Sequence, residues 1–195
     1  MERGDVAPDF ELPDQSGAPV RLSALLKVGP VVLFFYPKAL TPGCTAESCH
    51  FRDLASDFAA SGAARVGVSA DPVDRQATFA DRHSLDFPLL SDPDRTVARS
   101  YGVKRPGPLF NRRTTFVVGQ DGRILDVVSS ELNMRVHADQ ALGVLKTAGS
   151  RSAEVRGAQA TAVDLGTDAE AGSDAGDTAS AEVKSPRRRR TTSGR

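Results

Sequence analysis

The sequence contains no tryptophan, two tyrosines, two methionines and two cysteines. Two cysteines are too few for a disulfide scaffold. They stand at positions 44 and 49, a spacing that suits redox or metal chemistry better than a structural framework. No apolar run approaches the ~20 residues needed to cross a bilayer; the longest strongly apolar stretch is VVLFFY, Val31–Tyr36. The opening residues, MERGDVAPDF, carry no apolar signal core. The expectation is a cytoplasmic protein without transmembrane helices. Neither sign of charge dominates, since 25 basic and 25 acidic residues cancel. No internal repeat is visible.

The 195 residues are distributed unevenly. Every aromatic residue precedes Val117, and from Thr147 onward the only large aliphatics are Val155, Val163, Leu165 and Val183. Such a segment buries too little apolar surface to offset chain entropy. The expectation is one domain over residues 1–146 and a disordered, low-complexity tail over 147–195. The tail is polarised: Glu154–Glu182 carries a net charge of −6 and Val183–Arg195 a net +6, including the run Arg187–Arg190. The core, with 17 basic and 18 acidic residues, offers no positive excess for nucleic acid. The Arg-rich end is the one feature that could bind it.

Within the core the hydrophobic pattern alternates between strands and helices. Asp9–Leu12 and Val20–Leu22 flank a Gly/Ser/Pro turn and read as a small hairpin. Val31–Tyr36 reads as a strand buried on both faces. Cys44–Ala60 has Phe51, Leu54, Ala55 and Phe58 at helical spacing. Arg65–Ala70, Pro72–Ser84, Phe87–Leu90 and Asp94–Tyr101 read as strand, helix, strand and helix. Thr114–Gly119 and Arg123–Ser130 flank a Gln-Asp-Gly turn and read as a hairpin, and Val136–Lys146 as a final helix. This order predicts an α/β protein with a mixed central sheet flanked by helices and an N-terminal β-hairpin extension.

The chemistry concentrates where the buried strand ends. Phe35-Tyr36-Pro37-Lys38-Ala39-Leu40-Thr41-Pro42-Gly43-Cys44 carries a Pro/Gly turn into the first turn of a helix. Backbone N–H groups there lack intrahelical acceptors and the helix dipole is positive, so both favour thiolate, the nucleophilic form of Cys44. Thr41 stands three residues upstream and can aim its hydroxyl at the same point. A buried structural cysteine is the competing reading.

PKALTPGC contains a Pro-x-x-x-Thr-x-x-Cys motif, at Pro37, Thr41 and Cys44. The longer string FYPKALTPGCTAESCHFRDL resembles the peroxiredoxins of the peroxiredoxin Q, or bacterioferritin comigratory protein, group. GVSADP, LDFPLLSDPD, YGV and RTTFVV follow in the order of that family, and the resemblance covers residues 5–146. It implies a thioredoxin-like fold and a thiol-dependent peroxidase acting on hydrogen peroxide and organic hydroperoxides, with no metal or cofactor. Cys44 would be the peroxidatic cysteine and Cys49, by its spacing in the family, the resolving one. Thr41 would bond peroxide or thiolate, Gly43 and Cys44 would offer backbone N–H groups, and Pro37 would shape and shield the turn. An Arg-x-Ser/Thr-Phe pattern places an arginine in the site. Here Arg113 fits, with Arg112 the neighbouring candidate, since strand alternation sends only one of them inward. Thioredoxin or a similar dithiol protein would recycle the enzyme.

Other readings stay open at this stage. Cys49 as an idle helix residue, or a metal held by the two cysteines, competes with the resolving role. Glu47, one helical turn after Cys44, is the one acid worth noting, with surface charge its stronger reading, and His50, His83 and His137 read as helix residues outside the chemistry. A redox sensor that relays Cys44 oxidation to a partner is the alternative function. Monomer and weak dimer are equally compatible with the sequence.

Overall fold

The structure, a computed structural model, describes residues 1–107 and 109–164. In chain order its elements are β1 (Glu11–Pro13), β2 (Pro19–Arg21), α1 (Leu22–Leu26), β3 (Val31–Phe35), α2 (Pro42–Asp53), α3 (Ala55–Ala60) and β4 (Ala64–Ser69). There follow α4 (Val73–His83), β5 (Leu89–Ser91), α5 (Thr96–Ser100), β6 (Thr114–Val118), β7 (Ile124–Ser129) and α6 (Val136–Asp164). The chain divides into two units, Met1–Gly157 and Ala158–Arg195; in the second, residues 158–164 are helical.

β3 is the middle of a five-stranded sheet of order β5-β4-β3-β6-β7. It pairs parallel with β4 and antiparallel with β6, so the sheet is mixed, as the sequence pattern requires. All five β3 residues are buried because both faces are covered. Alternation then builds two cores. Val32 and Phe34 face Phe51, Phe58, Phe79 and Leu142, from α2, α3, α4 and α6. Val31, Leu33 and Phe35 face Leu22, Val97, Tyr101 and Phe116 on the other side. Phe34 and Phe51 stack with centroids 4.3 Å apart, which fixes α2 on the sheet.

Three expectations differ from the observed elements. The helix expected over Cys44–Ala60 is two helices, interrupted at Leu54 (φ −95°, ψ 20°). Arg65 Nη1 donates to the Phe51 carbonyl at 2.8 Å, the acceptor that a continuous helix would offer to Ala55. The short α1 was not expected. Its start is capped from a distance by Asp9, whose carboxylate accepts from the Ser23 N–H and hydroxyl, both at 2.9 Å. The last helix, expected to end at Lys146, continues to Asp164. Residues 147–164 are rich in Ala with Arg, Glu and Gln, all good helix formers, so local propensity carries the helix beyond its apolar face. The remainder of the expected tail, 165–195, lies outside the described residues.

Gly67 of β4 shows how tightly the sheet is covered. A Cβ there would lie 2.9 Å from both Leu89 Cδ2 and Phe34 Cζ. Both neighbours are fully buried and cannot swing away. Gly67→Ala is expected to cost about 1–3 kcal/mol through overpacking, measured as a lower urea midpoint with unchanged m-value.

Candidate active site

The end of β3 delivers the chain into the turn Pro37–Thr41, and α2 starts at Pro42. Proline suits this first position, where its missing N–H costs nothing. Thr41 is the N-cap, and the first helical hydrogen bond runs from Thr45 N–H to Thr41 O at 2.8 Å. Gly43 and Cys44 precede that bond, so their N–H groups have no acceptor within the helix. The Thr41 hydroxyl donates to the Lys38 carbonyl at 2.9 Å. With its proton so engaged, the Thr41 oxygen presents lone pairs, and it acts toward a neighbouring molecule as an acceptor.

Cys44 is fully buried. Arg113 reaches it from the residue just before β6, next to the end of β3, since Thr114 pairs with Phe35. Arg113 is buried and Arg112 exposed, as strand alternation dictates. Arg113 Nη2 lies 3.3 Å from Cys44 Sγ, while Nη1 pairs with Glu47 Oε2. Gly43 allows the approach: a Cβ there would stand 3.3 Å from Arg113 Nη2 and 3.5 Å from Met134 Sδ. The guanidinium thus directs an N–H at the sulfur, on the same side as the free N–H groups and the positive dipole of the helix terminus.

Two residues that the sequence reading left outside the chemistry belong to this cluster. Glu47 is fully buried and not on the surface. The available signal was its position three residues after Cys44, which puts both on one helix face. Burial pushes its carboxyl up, while the paired Arg113 guanidinium pulls in the opposite direction and favours the carboxylate. Arg113 is itself lowered by burial, but Glu47 and Cys44 raise it further, so it stays charged. His137, at the start of α6, is also fully buried. Its Nδ1 meets Thr115 Oγ1 at 2.9 Å and lies 3.8 Å from Glu47 Oε1, while Nε2 meets the Ser130 carbonyl at 2.9 Å. A carbonyl can only accept, so Nε2 carries a proton and Nδ1 can accept from the Thr115 hydroxyl. Burial holds the imidazole below its ordinary 6.5.

The other candidates are placed more loosely. Cys49 is half-buried on α2, and both thiols are free. Five residues of regular helix separate Cα atoms by ~8.6 Å, beyond the ~7 Å limit of a disulfide. Pro37 is half-buried at the mouth of the turn. His50 pairs with Asp139 at 2.7 Å, and His83 ends α4 against the Phe79 ring. Among the described residues no three His, Cys, Asp or Glu side chains cluster as metal ligands. No helix among them is long and apolar enough to cross a membrane.

A mixed sheet that presents a buried cysteine at a helix N-terminus, beneath a paired guanidinium, defines the class of thiol-dependent peroxidases with a thioredoxin-like fold. The chain belongs to the AhpC/TSA family, whose model matches residues 3–127. The crystal structure of peroxidoxin BcpB from Mycobacterium tuberculosis superposes with a TM-score of 0.74 at 57% identity, covering 75% of this chain and 97% of that one. Peroxiredoxin Q of Xanthomonas campestris gives a TM-score of 0.66 at 31% identity over 71% of this chain and 90% of its own. The chloroplastic peroxiredoxin Q of Sedum lineare is 38% identical over 150 residues, 75% of this chain and 79% of that protein. The family uses hydroperoxide substrates and thioredoxin-like reductants, and within it these relatives place the chain in the peroxiredoxin Q group.

His137 supplies a pH test. Its imidazole takes up a proton less readily in the fold than in the unfolded chain, where the ordinary value is 6.5. The unfolded state therefore binds more protons as pH falls, and the fold loses stability below that pH. His137→Asn is expected to show a shallower acid-side loss than wild type in urea titrations between pH 7 and pH 5.

Proposed function

We propose that Cys44 is the peroxidatic residue of this peroxidase and Cys49 its resolving partner, acting on hydrogen peroxide and organic hydroperoxides in the cytoplasm. The observation that carries the reading is the 3.3 Å approach of Arg113 Nη2 to the buried Cys44 Sγ at the start of α2. The Cys44 thiolate attacks the terminal oxygen of the hydroperoxide. An S–O bond forms, the O–O bond breaks, and the leaving oxygen takes a proton to depart as water or alcohol. Arg113 and the N–H groups of Gly43 and Cys44 stabilise charge moving onto oxygen. The Thr41 oxygen accepts from the peroxide O–H, and Pro37 keeps water from the thiolate. The relative from Xanthomonas campestris described for alkyl peroxide reduction is 30% identical, which supports an organic substrate.

The product is a Cys44 sulfenic acid. The Cys49 thiol attacks its sulfur, an S–S bond forms and water leaves. The ~8.6 Å separation on a regular helix requires α2 to open at its first turn before this step. A dithiol protein such as thioredoxin then restores both thiols by exchange.

Stopped-flow peroxide reduction with product mass analysis tests these roles. Cys44→Ser is expected to abolish turnover. Cys49→Ser should react once and accumulate sulfenic or sulfinic acid instead of the disulfide. Arg113→Ala should slow the peroxide step by roughly 10²–10³, with Arg112→Ala close to wild type. Wild-type activity in Cys44→Ser would refute the assignment. Peptide maps of peroxide-treated wild type without a Cys44–Cys49 link would leave a one-cysteine peroxidase resolved by an external thiol.

A further inference from the structure

The turn that carries Cys44 is gripped at one residue. Ala39 is buried, and both polar groups of its backbone are held by side chains from beyond β4. Its N–H donates to Asp71 Oδ2 at 2.7 Å, and its carbonyl accepts from Arg75 Nη2 at 3.1 Å. Arg75 Nε and Asp71 Oδ1 pair at 3.0 Å, closing the grip on itself. Asp71 is anchored in turn: Ser69 Oγ donates to its Oδ2 at 2.8 Å, and Ser91 Oγ donates to its carbonyl at 2.8 Å. Gln76 Nε2 donates to Ser69 Oγ and to the Leu90 carbonyl, tying the set to the sheet.

The next residue, Leu40, has φ 65°. A left-handed leucine is strained, and such a conformation persists only where its surroundings over-determine it. The chain is therefore fixed up to Ala39 and strained immediately after it. The Lys38 carbonyl that receives the Thr41 hydroxyl sits on the fixed side. We propose that Asp71 and Arg75 are positioning residues that hold the Cys44 turn in its reactive shape and make Leu40 the hinge at which α2 opens.

The inference rests on the peroxidase reading and adds a consequence to it. The sulfenic acid of Cys44 has two fates. In the closed turn, a second hydroperoxide transfers one oxygen to sulfur, giving sulfinic acid and leaving as water or alcohol. In the open turn, Cys49 attacks, giving the disulfide and water. A grip that favours the closed turn favours the first fate over the second, so its strength sets how much peroxide the enzyme survives.

The experiment uses the reduced full-length protein, wild type, Asp71→Ala and Arg75→Ala. Amide exchange is followed across residues 38–44, and then sulfinic acid and disulfide are measured by mass over a hydrogen peroxide series. Losing one charge-assisted hydrogen bond should speed exchange in the turn by roughly tenfold or more, with β3 and α6 unchanged. The peroxide concentration that gives equal sulfinic acid and disulfide should rise by a similar factor. Asp71→Asn, which keeps an acceptor for the Ala39 N–H, should fall between wild type and Asp71→Ala. Arg75 is 38% exposed, so Arg75→Ala carries both readouts if Asp71→Ala does not fold. Folded variants with wild-type exchange in the turn and a wild-type product ratio would overturn the proposal. A wild type that consumes no peroxide would instead sink the peroxidase reading, while the exchange measurement still decides the grip.

Discussion

A guanidinium withdrawn from water is the constraint on which the site depends. Arg113 is 5% exposed, and it meets a carboxylate on one nitrogen and a sulfur on the other. A buried charge is tolerated only with good partners, and removing one of them leaves the rest strongly destabilised. Glu47 supplies that partner from the same helix face as Cys44, and the pair leaves the second arm of the guanidinium directed at sulfur. His137 and Thr115 line the floor beneath Glu47, with their own polar atoms satisfied. The cationic arm and the helix terminus act on the same atom, in surroundings where water screens little.

The same helix has to satisfy two opposed demands. Under the roles proposed for its two cysteines, it presents Cys44 in a rigid first turn and yet has to let Cys44 come within bonding distance of Cys49. The anchoring of α2 is distributed accordingly. Its far end is fastened by the Phe34–Phe51 stack, by Arg65 on the Phe51 carbonyl and by the His50–Asp139 pair at 2.7 Å. Its near end begins with Pro42 and Gly43, which contribute little helical stability, after a strained Leu40. Opening the first turn therefore disturbs few packed side chains, while Cys49 stays with the anchored half.

The fold shows how far a local pattern reaches. Val31–Phe35 is apolar throughout, with β-branched and aromatic residues and no alternation, which matches a strand covered on both faces, and the strand sits at the sheet centre. The interruption at Leu54 depends on Arg65, eleven positions later on β4. The start of α1 depends on Asp9, which faces Ser23 only after the hairpin has closed. Both effects come from long-range hydrogen bonds, which no local periodicity encodes.

By itself the sequence determined the strand–turn–helix that places Cys44 at a helix N-terminus, because proline, glycine and apolar spacing act through neighbouring residues. It also carried the family motif from Pro37 to Cys44 and narrowed the arginine to two adjacent positions. The tertiary structure alone decided that Arg113 faces inward, that Glu47 and His137 are buried beneath it, and that Asp71 and Arg75 grip Ala39. Each of these is a charge or hydrogen bond between residues far apart in the chain. Such contacts exist only once β3, β4 and β6 lie side by side, and it is burial among them that turns ordinary side chains into a site.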